Sequence, residues 1–249
     1  MARKKTGNSG RDRRTPGALN ALGRAAAWSA FALALAFATY ELTFLARLVW
    51  WRSHDPPSTA FIAREQERLR VRDPGAQVRQ KWVAYPRIST HLKRAVVAAE
   101  DAKFADHEGF DWEAMQKAWE KNQKRGRVVA GGSTISQQLA KNLFLSGRRT
   151  PWRKGQEAVI TVMLEAVMDK RRILEIYLNV IEWGDGVFGA EAAARHYFAA
   201  AAGTLTPEQA ARLAAMVPNP RYYDRHRATP WLDRKTAIIL ARMPSAEVP

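Results

Sequence analysis

Cysteine is absent from all 249 residues. That excludes disulfides, thiolate metal sites and a cysteine nucleophile, so the fold has to stand on its core. The five histidines, His54, His91, His107, His196 and His226, show no paired ligand spacing, and no structural zinc is expected. Acidic residues are scarce beside basic ones, 24 against 40, for a net charge of +16. Such a balance suits an anionic partner, whether nucleic acid, acidic lipid or a pyrophosphate substrate, and does not choose among them. Strand-like alternation is also missing beyond the first fifty residues, and there is no internal repeat. The expected fold is therefore mainly α, with at most a minor β element.

What is present begins with a basic leader. Arg3, Lys4, Lys5, Arg11, Arg13, Arg14 and Arg24 stand against Asp12 alone, and Ala25 to Tyr40 then carries no charge. Apolar character continues past Glu41 and Arg47 to Trp50 and Trp51, longer than the roughly 20 residues a membrane helix needs. Arg47 and Glu41 can reach toward the interface, where the tryptophans also belong. The rival reading is a cleaved signal peptide, since Ala36-Phe37-Ala38 fits a small-x-small site. Under the anchor reading the basic cluster keeps the N-terminus cytoplasmic and places everything after Trp51 outside. The expected organisation is a cytoplasmic tail over 1–24, a membrane anchor over 25–51, a juxtamembrane segment over 52–80 and a globular domain over 81–249.

The chemistry concentrates between Glu100 and Glu157. Ser89 or Thr90 caps a helix expected to run to about Phe104, with Leu92, Ala95, Val96 and Ala99 as its apolar face. Glu100 stands beside that face, so its carboxylate is expected to be partly desolvated, with a raised pKa suited to a general base. Asp101 points elsewhere, and the plain alternative is two acids at an exposed helix end. A helix after Asp111 gives way to an expected basic loop from Lys121 to Arg127. Gly131 and Gly132 then precede a helix capped by Ser133 or Thr134, whose free amides make an anion site. Its inner face is Ile135, Leu139, Leu143 and Phe144. Thr150-Pro151 starts the next helix, where Lys154, Glu157 and Thr161 share one face while Val159, Val162, Met163, Ala166 and Val167 are expected to look inward. A capped helix start, a solvated Lys141 and a local Lys154–Glu157 pair are each ordinary when taken singly. His107 fits a hydrogen-bonded strut better than a ligand or base.

Taken in order, these motifs resemble the peptidoglycan glycosyltransferase family, in its monofunctional, membrane-anchored branch, over about Trp82 to Pro220. Glu100-Asp101, Phe104, His107, Gly109 and Asp111 look like the first motif, and Gly131 to Gln138 with Lys141-Asn142-Leu143-Phe144 like the second. Arg153-Lys154 with Glu157 look like the third, Tyr177-Leu178-Asn179 with Gly184 and Gly189 like the fourth, and Leu213 to Pro220 like the last. Ser136 stands where many members carry threonine and keeps the hydroxyl.

The resemblance implies a lysozyme-like α fold that polymerises lipid II. Glu100 would be the base that deprotonates the acceptor, with Glu157 as a second catalytic carboxylate. Glu157 would either orient the basic cluster or help stabilise the donor's charge. Ser133, Thr134, Gln137, Gln138, Lys141, Asn142, Arg149, Arg153 and Lys154 would bind substrate and its pyrophosphate. Asp101, Phe104, His107, Gly109, Asp111, Gly132 and Asn179 would support the site. No dedicated metal site or tightly bound cofactor is implied, although a divalent cation, magnesium or manganese, can accompany the pyrophosphate. The implied partners are lipid II, the growing lipid-linked glycan, the cytoplasmic membrane and other cell-wall synthesis or division proteins, with no nucleic acid. The implied location is the bacterial inner membrane, single-pass, with the catalytic domain periplasmic.

Three rivals belong to other classes. A muramidase also uses paired carboxylates, but does not need the phosphate-side bases. A membrane-tethered scaffold would not need an intact site. A nucleic-acid binder would carry its basic charge on the wrong side of the membrane. The sequence holds no Ser-x-x-Lys nucleophile motif of a penicillin-binding transpeptidase.

Overall fold

The computed structural model describes residues 16–249 apart from 128, 130 and 149, with side chains from residue 23 onward. The chain divides after Phe44 into an N-terminal unit and a larger unit, Leu45–Pro249. Helix α1, Pro16–Trp51, runs through that boundary. Its stretch Gly23–Trp51, 29 residues, is long and apolar enough to cross a membrane. Trp28, Phe31, Leu33 and Leu35 are exposed on it, while the Thr39 and Thr43 hydroxyls bond back to the Leu35 and Tyr40 carbonyls. Apolar side chains turned outward and polar groups satisfied within the helix suit a lipid surround.

The larger unit is built from α2 (Ala60–Arg72), α3 (Thr90–Glu100), α4 (Trp112–Arg125), α5 (Ile135–Phe144), α6 (Pro151–Val167), α7 (Lys170–Val180), α8 (Ala190–Phe198), α9 (Pro207–Met216), α10 (Pro220–Arg225) and α11 (Pro230–Arg242). A small sheet of β1 (Arg79–Gln80), β2 (Glu182–Gly184) and β3 (Val187–Phe188) has the order β1-β3-β2, with β1 parallel and β2 antiparallel to β3. The architecture is thus mainly α with a minor β element, as expected from composition and periodicity.

The core forms where small and branched faces meet. α3 lies on α9, joining Leu92, Ala95 and Val96 to Ala210, Leu213 and Ala214, and α5 lies between α6 and α7, burying Ile135, Leu139, Ile160, Ile173 and Leu174. Helix starts follow their capping signals. Ser89, Asp111 and Thr150 accept backbone N–H bonds from His91, Ala114 and Arg153, while Thr134 and Thr206 form capping boxes with Gln137 and Gln209.

Three expectations need correction. α3 ends at Glu100 rather than near Phe104, because Asp101 leaves the helix with φ −162° and ψ 75° and turns its carboxylate to another segment. The basic run from Lys121 is helical as far as Arg125, and α4 stops only where Gly126 supplies a left-handed residue at φ 61°. α6 is also rotated from the expected facing: Val159 and Val162 are exposed, while Gln156, Glu157, Ile160, Thr161 and Leu164 are buried. The polar residues Glu157 and Thr161 can turn inward because α6 itself satisfies them, Glu157 through Arg153 and Lys154 and Thr161 through the Glu157 carbonyl, which apolar periodicity alone cannot register.

Asn179 lies far from the solvent. Its side chain accepts from the Val83 amide at 2.8 Å and donates to the Val83 and Glu175 carbonyls at 2.9 Å, clamping the segment before α3 to α7. Gly189, at φ +79°, backs the same residue, and a Cβ there would meet the Asn179 carbonyl oxygen at 2.6 Å. Asn179→Ala orphans a buried backbone amide, so a loss of about 2–4 kcal/mol is expected. A lowered thermal midpoint of the full chain in detergent would show it.

Candidate active site

The end of α3 and the start of α5 meet at one carboxylate. Asp101 Oδ2 accepts the Ile135 amide at 2.9 Å, and its Oδ1 accepts from His107 Nε2 at 2.9 Å. His107 Nδ1 in turn accepts the Gly109 amide at 3.2 Å, which fixes the neutral tautomer with its proton on Nε2. Thr134, buried at the α5 cap, donates to the Gly109 carbonyl at 2.7 Å. Phe104 is fully buried beside His107, and Lys170 lies over its ring and donates to the His107 carbonyl. Gly109 and Gly132 are required by close approach: a Cβ would come within 2.8 Å of Thr161 at the first and 3.0 Å of the Met115 backbone at the second. Asp111 caps α4. The supporting residues of the first motif therefore form one hydrogen-bonded frame.

Glu100 stands one peptide bond from this frame, half-buried on the wall of a cleft of about 290 Å³. The cleft is completed by Gly131–Thr134, the first turns of α4 and Arg242 of α11. Gln138 Nε2 donates to Glu100 Oε2 at 2.9 Å, and Tyr177 Oη donates to Gln138 Oε1 at 3.0 Å, which orients the amide. Burial pushes the Glu100 carboxyl above its ordinary range, against the Gln138 hydrogen bond and the charges of Lys235 and Lys141. Burial likewise drives the Tyr177 phenol well up, so it stays a neutral donor.

The third motif lies across α5. Glu157 is buried on α6, and both Arg153 Nη1, at 2.5 Å, and Lys154 Nζ end on its carboxylate. Arg153 Nε is buried without a hydrogen-bond partner among the described residues. Lys141 is half-buried and, among the described residues, has no carboxylate within ion-pair distance. Burial lowers its pKa, opposed by the Glu157 charge and reinforced by Arg153 and Lys154. Ser133 is exposed at the start of α5, whereas Thr134, Gln137 and Asn142 use polar atoms inside the protein, Asn142 donating to the Gln138 carbonyl at 2.7 Å. Arg149 lies outside the described residues. Asn179 supports α7 and does not contact the carboxylates.

Sequence reasoning placed Tyr177 in the fourth motif but gave it no role at the site, because it sits in the apolar stripe of α7. It also missed Glu165, which accepts from Ser136 at 2.5 Å and Lys170 at 2.8 Å, and the approach of Lys235 and Arg242 from the last helix. Only the hydroxyl on Tyr177 and the acid pairing with Lys170 offered a local signal.

A half-buried carboxylate facing a cleft, with clustered cations one helix away, equips this domain for displacing an anionic leaving group by a deprotonated hydroxyl. The family model described as Transglycosylase matches residues 65–244, and the chain belongs to that family. Biosynthetic peptidoglycan transglycosylases are among its relatives. That of Laribacter hongkongensis is 64% identical over 218 residues, covering 88% of this chain and 96% of the relative. Those of Chromobacterium violaceum, 62% over 218 residues (88% and 96%), and Methylobacillus flagellatus, 62% over 223 residues (89% and 97%), are similar. The chain is accordingly an enzyme of glycosyl transfer.

Proposed function

We propose that this enzyme is a peptidoglycan transglycosylase of cell-wall biosynthesis that polymerises lipid II into β-1,4-linked glycan. The activity class follows from the family. The finer reading rests on one observation, the half-buried Glu100 carboxylate and the Lys141–Arg153–Lys154 cations on either side of α5. Glu100 takes the proton of the acceptor's GlcNAc C4 hydroxyl, and that oxygen forms a bond to the donor's MurNAc anomeric carbon. The bond from that carbon to the pyrophosphate breaks, its electron pair leaves with the undecaprenyl pyrophosphate, and the centre inverts. Lys141, Arg153 and Lys154, with the donors around Ser133, neutralise the departing charge. Glu157 orients Arg153 and Lys154, a role supported by both side chains ending on its carboxylate.

Among the described residues no acidic or histidine cluster suited to a metal ion is present. A divalent cation would enter with the pyrophosphate as part of the substrate. The apolar α1 would anchor the chain in the inner membrane with its basic tail cytoplasmic and the catalytic unit periplasmic, confining the search for substrate to the membrane plane. Transpeptidation is not part of the proposal.

Purified, detergent-solubilised protein incubated with lipid II should consume the lipid and yield polymer. Release of soluble fragments from preformed cell wall, without polymer, would replace this reading with a hydrolase.

The base carries a pH signature. Glu100 works ionised, so activity falls as pH drops through its raised pKa. Gln138→Leu removes the amide that holds the pKa down. The acid limb of the pH–rate profile should therefore move to higher pH, and an unmoved limb would detach Gln138 from the base.

A further inference from the structure

Helix α2 precedes the first catalytic motif and falls within the expected juxtamembrane segment. Its side chains reach the leaving-group side of the site. The Phe61 ring lies 5.8 Å from Lys141 Nζ and 5.4 Å from Arg64 Cζ, measured to its centroid. Arg64 also donates to the Leu145 carbonyl at 3.1 Å, at the C-terminal end of α5, where a cation complements the helix dipole. α2 is itself pinned. Glu65, only 3% exposed, accepts from Arg68 and, at 2.7 Å, from Arg221, which also holds Glu182 of β2 at 2.5 Å.

We propose that α2 is part of the active site, with Phe61 a positioning residue that holds the Lys141 ammonium ready for the leaving pyrophosphate. The inference rests on the role given to Lys141 above. A long lysine with no carboxylate partner would otherwise sample many rotamers and a hydrated state. An aromatic face attracts the ammonium without neutralising it, so its charge stays available to an anion. A carboxylate in the same place would compete with the substrate. The Glu65 ion pairs fix the position of α2, and through it the ring.

The test compares Phe61→Leu, Phe61→Tyr and Lys141→Ala in the full chain in detergent, following lipid II polymerisation. Phe61→Leu keeps bulk but loses the aromatic face, and should lower kcat about five- to tenfold with little change in KM. Phe61→Tyr restores the ring and should return near wild-type kcat. The alkaline limb is a second readout. Lys141 must be protonated to act, and its lowered pKa comes first from burial. Phe61→Leu leaves that burial in place and takes away a face that favours the ammonium, so the limb should shift to lower pH. The other charges facing it, Glu157, Arg153 and Lys154 from α6 and Glu100 from α3, are untouched by the substitution, while Arg64 of α2 lies over the same ring and loses that face with it.

Wild-type kcat and limb in Phe61→Leu, with Lys141→Ala impaired, would overturn this inference and leave the function of Lys141 standing. A loss that tyrosine does not restore, with the limb unmoved, would reduce Phe61 to packing. Full activity in Lys141→Ala would remove the role of Lys141 and this inference with it.

Discussion

Glu100→Gln is expected to abolish polymer formation and to leave the thermal midpoint unchanged or slightly raised. The amide keeps the shape of the carboxylate and cannot accept the acceptor's proton, and a positioned general base contributes about 10²–10⁴-fold. Stability moves the other way. Burial raises the Glu100 pKa, so the folded protein bears the cost of an ionised, desolvated carboxylate. That cost sets in as pH rises past the unfolded carboxyl's pKa and is complete above the folded one; the uncharged amide does not carry it. The checks are polymer yield from lipid II beside a melting curve in the same detergent. Normal turnover in a folded Glu100→Gln protein would end the assignment of the base.

Lys141→Ala is expected to be the next most damaging change, lowering kcat by about 10²–10³-fold, the range for removing one preorganised group that stabilises transition-state charge. Its effect on stability should be small. Unlike Arg153 and Lys154, which both end on the buried Glu157, Lys141 has no carboxylate within ion-pair distance among the described residues, and its desolvation already counts against the fold. The measurement is single-turnover release of undecaprenyl pyrophosphate, with melting as the control. An unaltered rate would make Lys141 an ordinary surface charge.

Much of this architecture is written in local signals. Ser89, Asp111, Thr134, Thr150 and Thr206 each cap the helix their position predicts, because capping depends on a few neighbouring atoms. The half-buried setting of Glu100 was likewise visible, as it follows from the apolar face of α3 alone. The facing of α6 was not. Its valines offered an apolar stripe, yet Glu157 and Thr161 are the buried residues; Arg153 and Lys154 pair with Glu157 within α6 itself and Thr161 bonds back to the Glu157 carbonyl, so the side of the helix that faces the core is set by packing against α5 and not by these local pairs. The role of Tyr177 was hidden because its ring belongs to the core while its hydroxyl serves Gln138. The reach of α2, α11 and the β2 edge toward the centre spans long separations in the chain and has no local trace.

The two hydrogen bonds of Asp101 have a mechanical consequence. One carboxylate bolts the end of α3 to the first residue of α5, so Glu100 and Lys141 ride on a single rigid bracket. On the roles proposed for them, the gap between the group that takes the proton and the group that receives the leaving charge is then a fixed dimension, the same at each transfer. A glycan strand lengthened by the proposed reaction would have to move past this gauge while the bracket itself stays fixed.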